Sequence, residues 1–310
     1  MFLQLDLNDK NLHQNYVELC EKVFETYFNE VVQNINAYHK NNLKVLTIAG
    51  PTSSGKTTIA LKLSRELIKI GITAKIISMD NFFKNRDDME KKANGNPNFE
   101  VIEAIDTQML IKCINEAINH NKTKMPEFNF AAGRREEKFN DFELNENEIM
   151  IIEGIHGLNP KIVNNFAKEN LKSIYVTIGE KVFLPNDIVF SKRDVRFLRR
   201  LIRDYKYRGA SPETTFRLWE TVRENESVHI FEYEPNADIK INSFHRYELS
   251  VMRKQAEGLL INIDNENPYY CRAQELMNKL SHVPYIDESL VPKSSLVREF
   301  IGDSIYYEDI

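Results

Sequence analysis

Val17, Cys20, Phe24, Tyr27, Phe28, Val31 and Ile35 fall at three- and four-residue steps, so the chain begins with an amphipathic helix over about 8–40 that buries one stripe. The period then changes. KVLTIA at 44–49 is a short apolar run of the kind that forms a buried parallel strand. A Gly/Ser-rich turn follows, and then a helix over 56–70 that Gly71 stops. TAKIIS (73–78), EIMIIE (148–153) and KSIYVTI (172–178) repeat the strand pattern, and 107–119 repeats the helical one. The stretch 85–99 is charged and amide-rich, carries Gly95 and Pro97, and reads as a mobile loop. Strands alternating with helices predict an α/β fold, a parallel sheet with helices on both faces. Beyond it lie a basic helix at 196–207, an edge strand at 239–242, packing helices at 247–257 and 269–280, and a tail over 291–310 without a clear period. The expected organisation is an N-terminal helical extension (1–42), a central domain (43–265) with a lid at about 190–225, and a C-terminal helix and tail (266–310) packed on that domain.

Composition narrows the class. The 310 residues carry a net charge of −5, which argues against a dedicated nucleic-acid binder, since that would need a basic face. Cys20, Cys113 and Cys271 are far apart, with no CxxC or Cys/His spacing, so neither a zinc site nor a disulfide framework is expected. The opening MFLQLDLNDKN lacks the basic segment and apolar run of a signal peptide, and no apolar stretch approaches the roughly 20 residues of a membrane span. A cytoplasmic protein with no membrane partner is the expectation; a homo-oligomer stays open.

The turn after the first strand carries the chemistry. Gly50-Pro51-Thr52-Ser53-Ser54-Gly55-Lys56-Thr57 fits GxxxxGK[ST] at every position, directly between a strand and a helix. The glycines let the backbone wrap an anion, successive amides point inward, and the helix adds its positive end. Lys56 spans the β- and γ-oxygens and the Thr57 hydroxyl is placed for Mg²⁺. The expected cofactors are therefore ATP and Mg²⁺, in a P-loop NTPase fold, with Gly50, Thr52, Ser53, Ser54, Gly55, Lys56, Thr57 and Thr58 around the phosphates.

Two carboxylates stand at strand ends, where open α/β sheets collect ligands. Glu153, before Gly154, lacks the Asp-Glu pair of a motor ATPase and reads as a Mg²⁺ or water ligand; its bland alternative is a turn cap. Asp80, before Asn81-Phe82-Phe83, can accept the proton of an attacking hydroxyl beside the metal, or simply close an Asx-turn. No guanine-reading Asn-Lys-x-Asp is present; Asn121-Lys122-Thr123-Lys124 lacks the acid. Arg196, Arg199, Arg200 and Arg203 share one helix face, and only Asp194 and Asp204 accompany them and Arg208. An arginine lid over transferring phosphates explains the surplus better than a solvated stripe.

With the phosphate loop, IISMDNFF, IIEG and the arginine run, the chain resembles the uridine kinase and phosphoribulokinase family of P-loop kinases over about 43–242. IIEGIHGLNP, RDYKYRGASPETTFRLWETVR, ADIKINSFHRYEL and SSLVREFIGDS look most like uridine kinase-like nucleoside kinases related to a threonyl-tRNA synthetase-like accessory region. The resemblance implies a small-molecule nucleoside substrate, Asp80 as base, and Thr57, Asp80 and Glu153 around Mg²⁺. Lys56, Arg199 and Arg203 would then act in catalysis, and Arg196 and Arg208 on the ATP phosphates. The implied substrate contacts are Phe83, Glu100 (on the ribose), Phe128 (stacking) and Arg135. This sequence has Phe128-Asn129-Phe130-Ala131-Ala132-Gly133-Arg134-Arg135 where uridine kinases carry Tyr-Asp-Phe-x-x-His-Ser-Arg, and Phe83 where they have Tyr. A base pocket stripped of donors and acceptors discriminates weakly, which implies a broad nucleoside specificity. Two alternatives stay open: a kinase for a non-nucleoside alcohol, with Arg134 and Arg135 binding an anionic substrate, or a nucleotide-dependent RNA- or translation-associated binding module.

Overall fold

Five strands, β1 (Val45–Ala49), β2 (Thr73–Ser78), β3 (Glu148–Glu153), β4 (Leu171–Thr177) and β5 (Ile239–Asn242), form one sheet in the order β5-β4-β1-β3-β2. All four pairings are parallel. The computed structural model describes residues 10–90, 97–185 and 187–307, without the side chains of 227–229. The register sets Ile48 and Ser78 beside Glu153, so β1, β2 and β3 finish level. Whatever follows these three strands is therefore delivered to one edge of the sheet.

Alternation along the strands divides the core. Leu46 and Ile48 of β1, with Ile149 and Ile151 of β3, face α1 (Lys10–His39) and α2 (Lys56–Lys69) through Phe28, Ile35, Ile59 and Leu63. Val45, Met150 and Ile152 face the other way, toward Leu110 and Ile114 of α3 (Thr107–His120) and toward Phe82. Helices α4 (Lys192–Arg208), α5 (Pro212–His229), α6 (Glu248–Leu260) and α7 (Tyr270–Ser281) share a further core around Phe197, Leu201, Phe216, Met252 and Leu276. Val17 and Val297 join that core, so both ends of the described chain pack into it. No helix among the described residues is long and apolar enough to cross a membrane.

The five strands of the main sheet and the long helices other than α5 lie where the apolar periods put them. The loop expected over 85–99 contains a helical turn at Arg86–Asp88, and its residues 91–96 fall outside the described residues. Three short antiparallel ribbons, Lys122–Met125 with Asn140–Glu143, Phe128–Asn129 with Arg134–Arg135 and Val182–Phe183 with Val189–Phe190, have no counterpart in the sequence reading. Strands of two to four residues are too short for a period-2 pattern to stand out in the sequence. Helix α5 also escaped it, although its start is written locally: the Ser211 hydroxyl accepts from Thr214 N–H at 3.3 Å and Pro212 opens the first turn.

His245 gives the fold a pH dependence. Its ring is buried against Phe24, 4.6 Å between ring centroids, and faces Glu21, Glu248, Arg199 and Tyr247. Burial drives its pKa down to about 4, and Arg199 adds to this against the pull of Glu248. The unfolded chain thus takes up this proton at higher pH than the folded one. Stability is complete above pH 6.5 and falls as the pH drops toward 4, by about 3 kcal/mol from this residue. Urea midpoints at pH 7 and pH 4.5 should show that loss in the parent and a clearly smaller one in His245→Asn. Equal slopes would remove His245 from the account.

Candidate active site

The loop between β1 and α2 is shaped by its glycines. Gly50 has φ 152°, and a Cβ there would sit 2.1 Å from the Val176 carbonyl oxygen. Gly55 turns the chain into α2 at φ 92°, against Leu296. Inside the loop the Ser53 and Ser54 hydroxyls are buried without any hydrogen-bond partner, which suits an anion with several acceptor oxygens. Lys56 lies at the start of α2, with its ammonium 3.2 Å from the Pro51 carbonyl. Burial pushes its pKa down, while Glu153, Glu299, Asp80 and Glu226 pull it up. Thr57 follows it in the first turn of α2 and is half-buried.

Asp80 and Glu153 leave the ends of β2 and β3 side by side. The Ser78 hydroxyl joins them: it accepts from Asp80 N–H at 3.3 Å and donates to Glu153 Oε1 at 3.2 Å. Ser78 was not among the expected site residues, and only its place at a strand end beside Asp80 could have marked it. Burial raises the Asp80 carboxyl against the opposing charges of Lys56 and Arg208. Glu153 is pushed up to about 7, first by burial and then by Asp80, with Lys56 opposing. Gly154 is small because Met79 packs where its Cβ would lie, 2.6 Å from the sulfur.

Asp80 opens onto a cleft of roughly 580 Å³. Thr52 of the phosphate loop and Ile155 border it, Arg200 and Arg208 reach in from α4, and Phe83, Phe99 and Phe130 form an aromatic wall with Glu100 and Arg86. Phe83 anchors the wall, edge-on to Phe99 at 5.0 Å and to Phe128 at 5.7 Å.

Residues 45–250 match the family described as Phosphoribulokinase / Uridine kinase. The chain belongs to this family. A uridine kinase from Lactobacillus johnsonii is 31% identical over 175 residues, covering 56% of this chain and 74% of that protein. One from Clostridium tetani is 28% identical over 176 residues, covering 56% of this chain and 74% of that protein. A solved structure from Silicibacter sp. TM1040, described as a candidate fructose transport system kinase, superposes with a TM-score of 0.51 at 15% identity, covering 69% of this chain and 98% of that one. Membership establishes the P-loop α/β fold and the nucleotide-binding character of the loop.

Within this family frame, several expected residues take other positions. Arg196 and Arg199 do not line the cleft. Arg196 is buried in a two-pronged ion pair with Glu226, the longer prong 2.7 Å, and donates to the Thr52 carbonyl at 3.1 Å. Arg199 is fully buried between Glu248, at 2.7 and 3.0 Å, and the carbonyls of Ser243 and Ser53. These two brace the phosphate loop from behind. Arg203 turns to Asp204, at 2.7 Å, and Arg200 shares that carboxylate at 3.0 Å. The arginine surplus read from the local sequence is balanced by Glu226 and Glu248, acids on two later helices. Arg208 does reach the cleft, together with Arg200, which the expected site omitted.

On the substrate side, Phe83 and Glu100 line the cleft and Phe128 does not. Phe128 is 4% exposed, behind Phe130, which is 52% exposed and 5.1 Å away. The rings that line the cleft are those of Phe83, Phe99 and Phe130. Arg135 is turned inward to the Phe83 carbonyl at 2.8 Å and Asp106 at 3.0 Å, fastening the segment after Asp80. The space a side chain at Gly133 would need is filled by Arg86. Thr58 points its hydroxyl away from the cleft, to Glu299 and Tyr307.

Proposed function

We propose that the protein transfers the terminal phosphoryl group of ATP to the 5′-hydroxyl of a nucleoside, giving the monophosphate and ADP. One observation carries this reading: a single cleft holds Asp80, the edge of the phosphate loop at Thr52, and an aromatic wall of Phe83, Phe99 and Phe130. The loop amides and Lys56 grip the triphosphate and point its far end at Asp80. Phe99 and Phe130 take the base, Glu100 accepts from ribose hydroxyls, and Arg86 offers donors to the base edge. Asp80 accepts the proton of the attacking hydroxyl, while Arg200 and Arg208 meet the negative charge that spreads over the transferring group. Thr57, Asp80 and Glu153 are the residues that would hold Mg²⁺, whose charge would keep both carboxylates ionised and neutralise the phosphates. The uridine kinases among its relatives support a nucleoside acceptor.

The wall has rings and few polar groups, so it should accept several bases with similar efficiency. ADP release should be stimulated by uridine, cytidine and at least one further nucleoside, with kcat/KM values within about 100-fold of each other. Stimulation by sugar phosphates or pantothenate-like acids but by no nucleoside would replace this reading with the non-nucleoside kinase, in which Arg86 meets an anionic acceptor.

A further inference from the structure

The C-terminal tail lies beyond residue 250, where the family match ends, yet it is built into the phosphate site. Leu296 packs on Gly55, 3.0 Å from where its Cβ would be. Thr58, fully buried in the first turn of α2, donates its hydroxyl proton to Glu299 Oε2 at 2.5 Å. With that proton committed, the Tyr307 phenol is the donor in its 2.9 Å contact with Thr58 Oγ1. Burial holds this phenol in its protonated form. Two turns further along α2, Arg65 donates to the Ile305 carbonyl at 2.8 Å. The tail also reaches the lid helix, since Lys206 of α4 donates to the Ile301 carbonyl.

We infer that this tail is a working part of the phosphate site and that Glu299 is a positioning residue for phosphoryl transfer. It fixes the opening turn of α2 through Thr58, and its charge acts on the neighbouring Lys56 ammonium. Four carboxylates attract that ammonium, Glu153, Glu299, Asp80 and Glu226, and of these Glu299 alone lies beyond the region shared with the family. The charge of Glu299 acts in two opposing ways. It restrains Lys56, which favours transfer, and it repels the incoming triphosphate, which weakens nucleotide binding. A residue needed only for folding would not show this opposition.

The inference rests on the kinase reading for its rate effect, and its binding effect stands apart from that reading. Glu299→Gln keeps the shape and the acceptor oxygen for Thr58 but removes the charge. In the full chain it should lower kcat about tenfold while tightening the Kd for ATP about threefold, with Tm nearly unchanged. The double variant with Thr58→Val should be no slower than the slower single variant, because both act through one contact. Unchanged kcat and Kd, or ATP binding that weakens together with kcat, overturns the inference. Should no acceptor support transfer even in the parent, the kinase reading fails, and the ATP titration of Glu299→Gln still decides whether the tail acts on the phosphate site.

Discussion

Asp80→Asn should lower kcat by about 10²–10⁴ while changing the affinity for an ATP analogue only a few-fold. The amide has the shape of the carboxylate and leaves the Asp80 N–H bond to Ser78 in place, so the segment keeps its course. What is lost is the acceptor for the hydroxyl proton. In the proposed site the phosphates are gripped elsewhere, by the loop from Gly50 to Thr57, so nucleotide binding should be largely spared. Steady-state turnover with a responding nucleoside, paired with calorimetric titration of the analogue, separates the two effects. Turnover within a few-fold of the parent would take proton acceptance away from Asp80 and leave it a turn-closing residue.

Arg199→Met should damage folding before it damages chemistry. Its guanidinium is fully buried and satisfies Glu248, the Ser243 carbonyl and the Ser53 carbonyl together, with Phe300 against its face at 4.7 Å. Removing it strands a buried carboxylate, which costs about 3–5 kcal/mol. Pairing it with Glu248→Leu removes both charges and should recover most of that loss, because breaking a buried pair is far costlier than replacing it with apolar groups. ATP affinity should stay reduced in the double variant, since Ser53 in the phosphate loop still lacks its brace. A lid arginine that meets the transferring phosphate would behave in the opposite way, with normal stability and a low kcat. Arg200→Ala is the fitting comparison, because Arg200 lines the cleft. Chemical denaturation of all four proteins measures the difference.

The contrast between Arg199 and Arg200 shows what one sequence can reveal. The phosphate loop, Asp80 and Glu153 were legible because strand, turn and helix are local patterns, and a residue that follows a short apolar run must emerge at the edge of the sheet. Helix spacing likewise placed the arginines on one stripe. It could not say which of them meet acids, because Glu226 and Glu248 come from later helices and nothing near residue 199 refers to them. The aromatic wall was legible in kind and misplaced in detail. Phe128 and Phe130 both sit in the segment singled out for base contact, but a two-residue ribbon carries too little pattern to tell an inward ring from an outward one. Arg135 is a similar case: its partners, the Phe83 carbonyl and Asp106, lie far back in the chain. The tail carried no period, so beyond its expected packing on the central domain nothing told where it would lie, although Glu299 and Tyr307 end beside the first turn of α2, next to the loop that the sequence marked most strongly.

The most direct measurement follows the labelled γ-phosphorus of ATP in the presence of Mg²⁺ and a nucleoside. The account predicts that the label appears as a nucleoside 5′-monophosphate, in step with ADP, and that this product vanishes in Asp80→Asn. Label recovered only as inorganic phosphate, at a rate no alcohol alters, would contradict it.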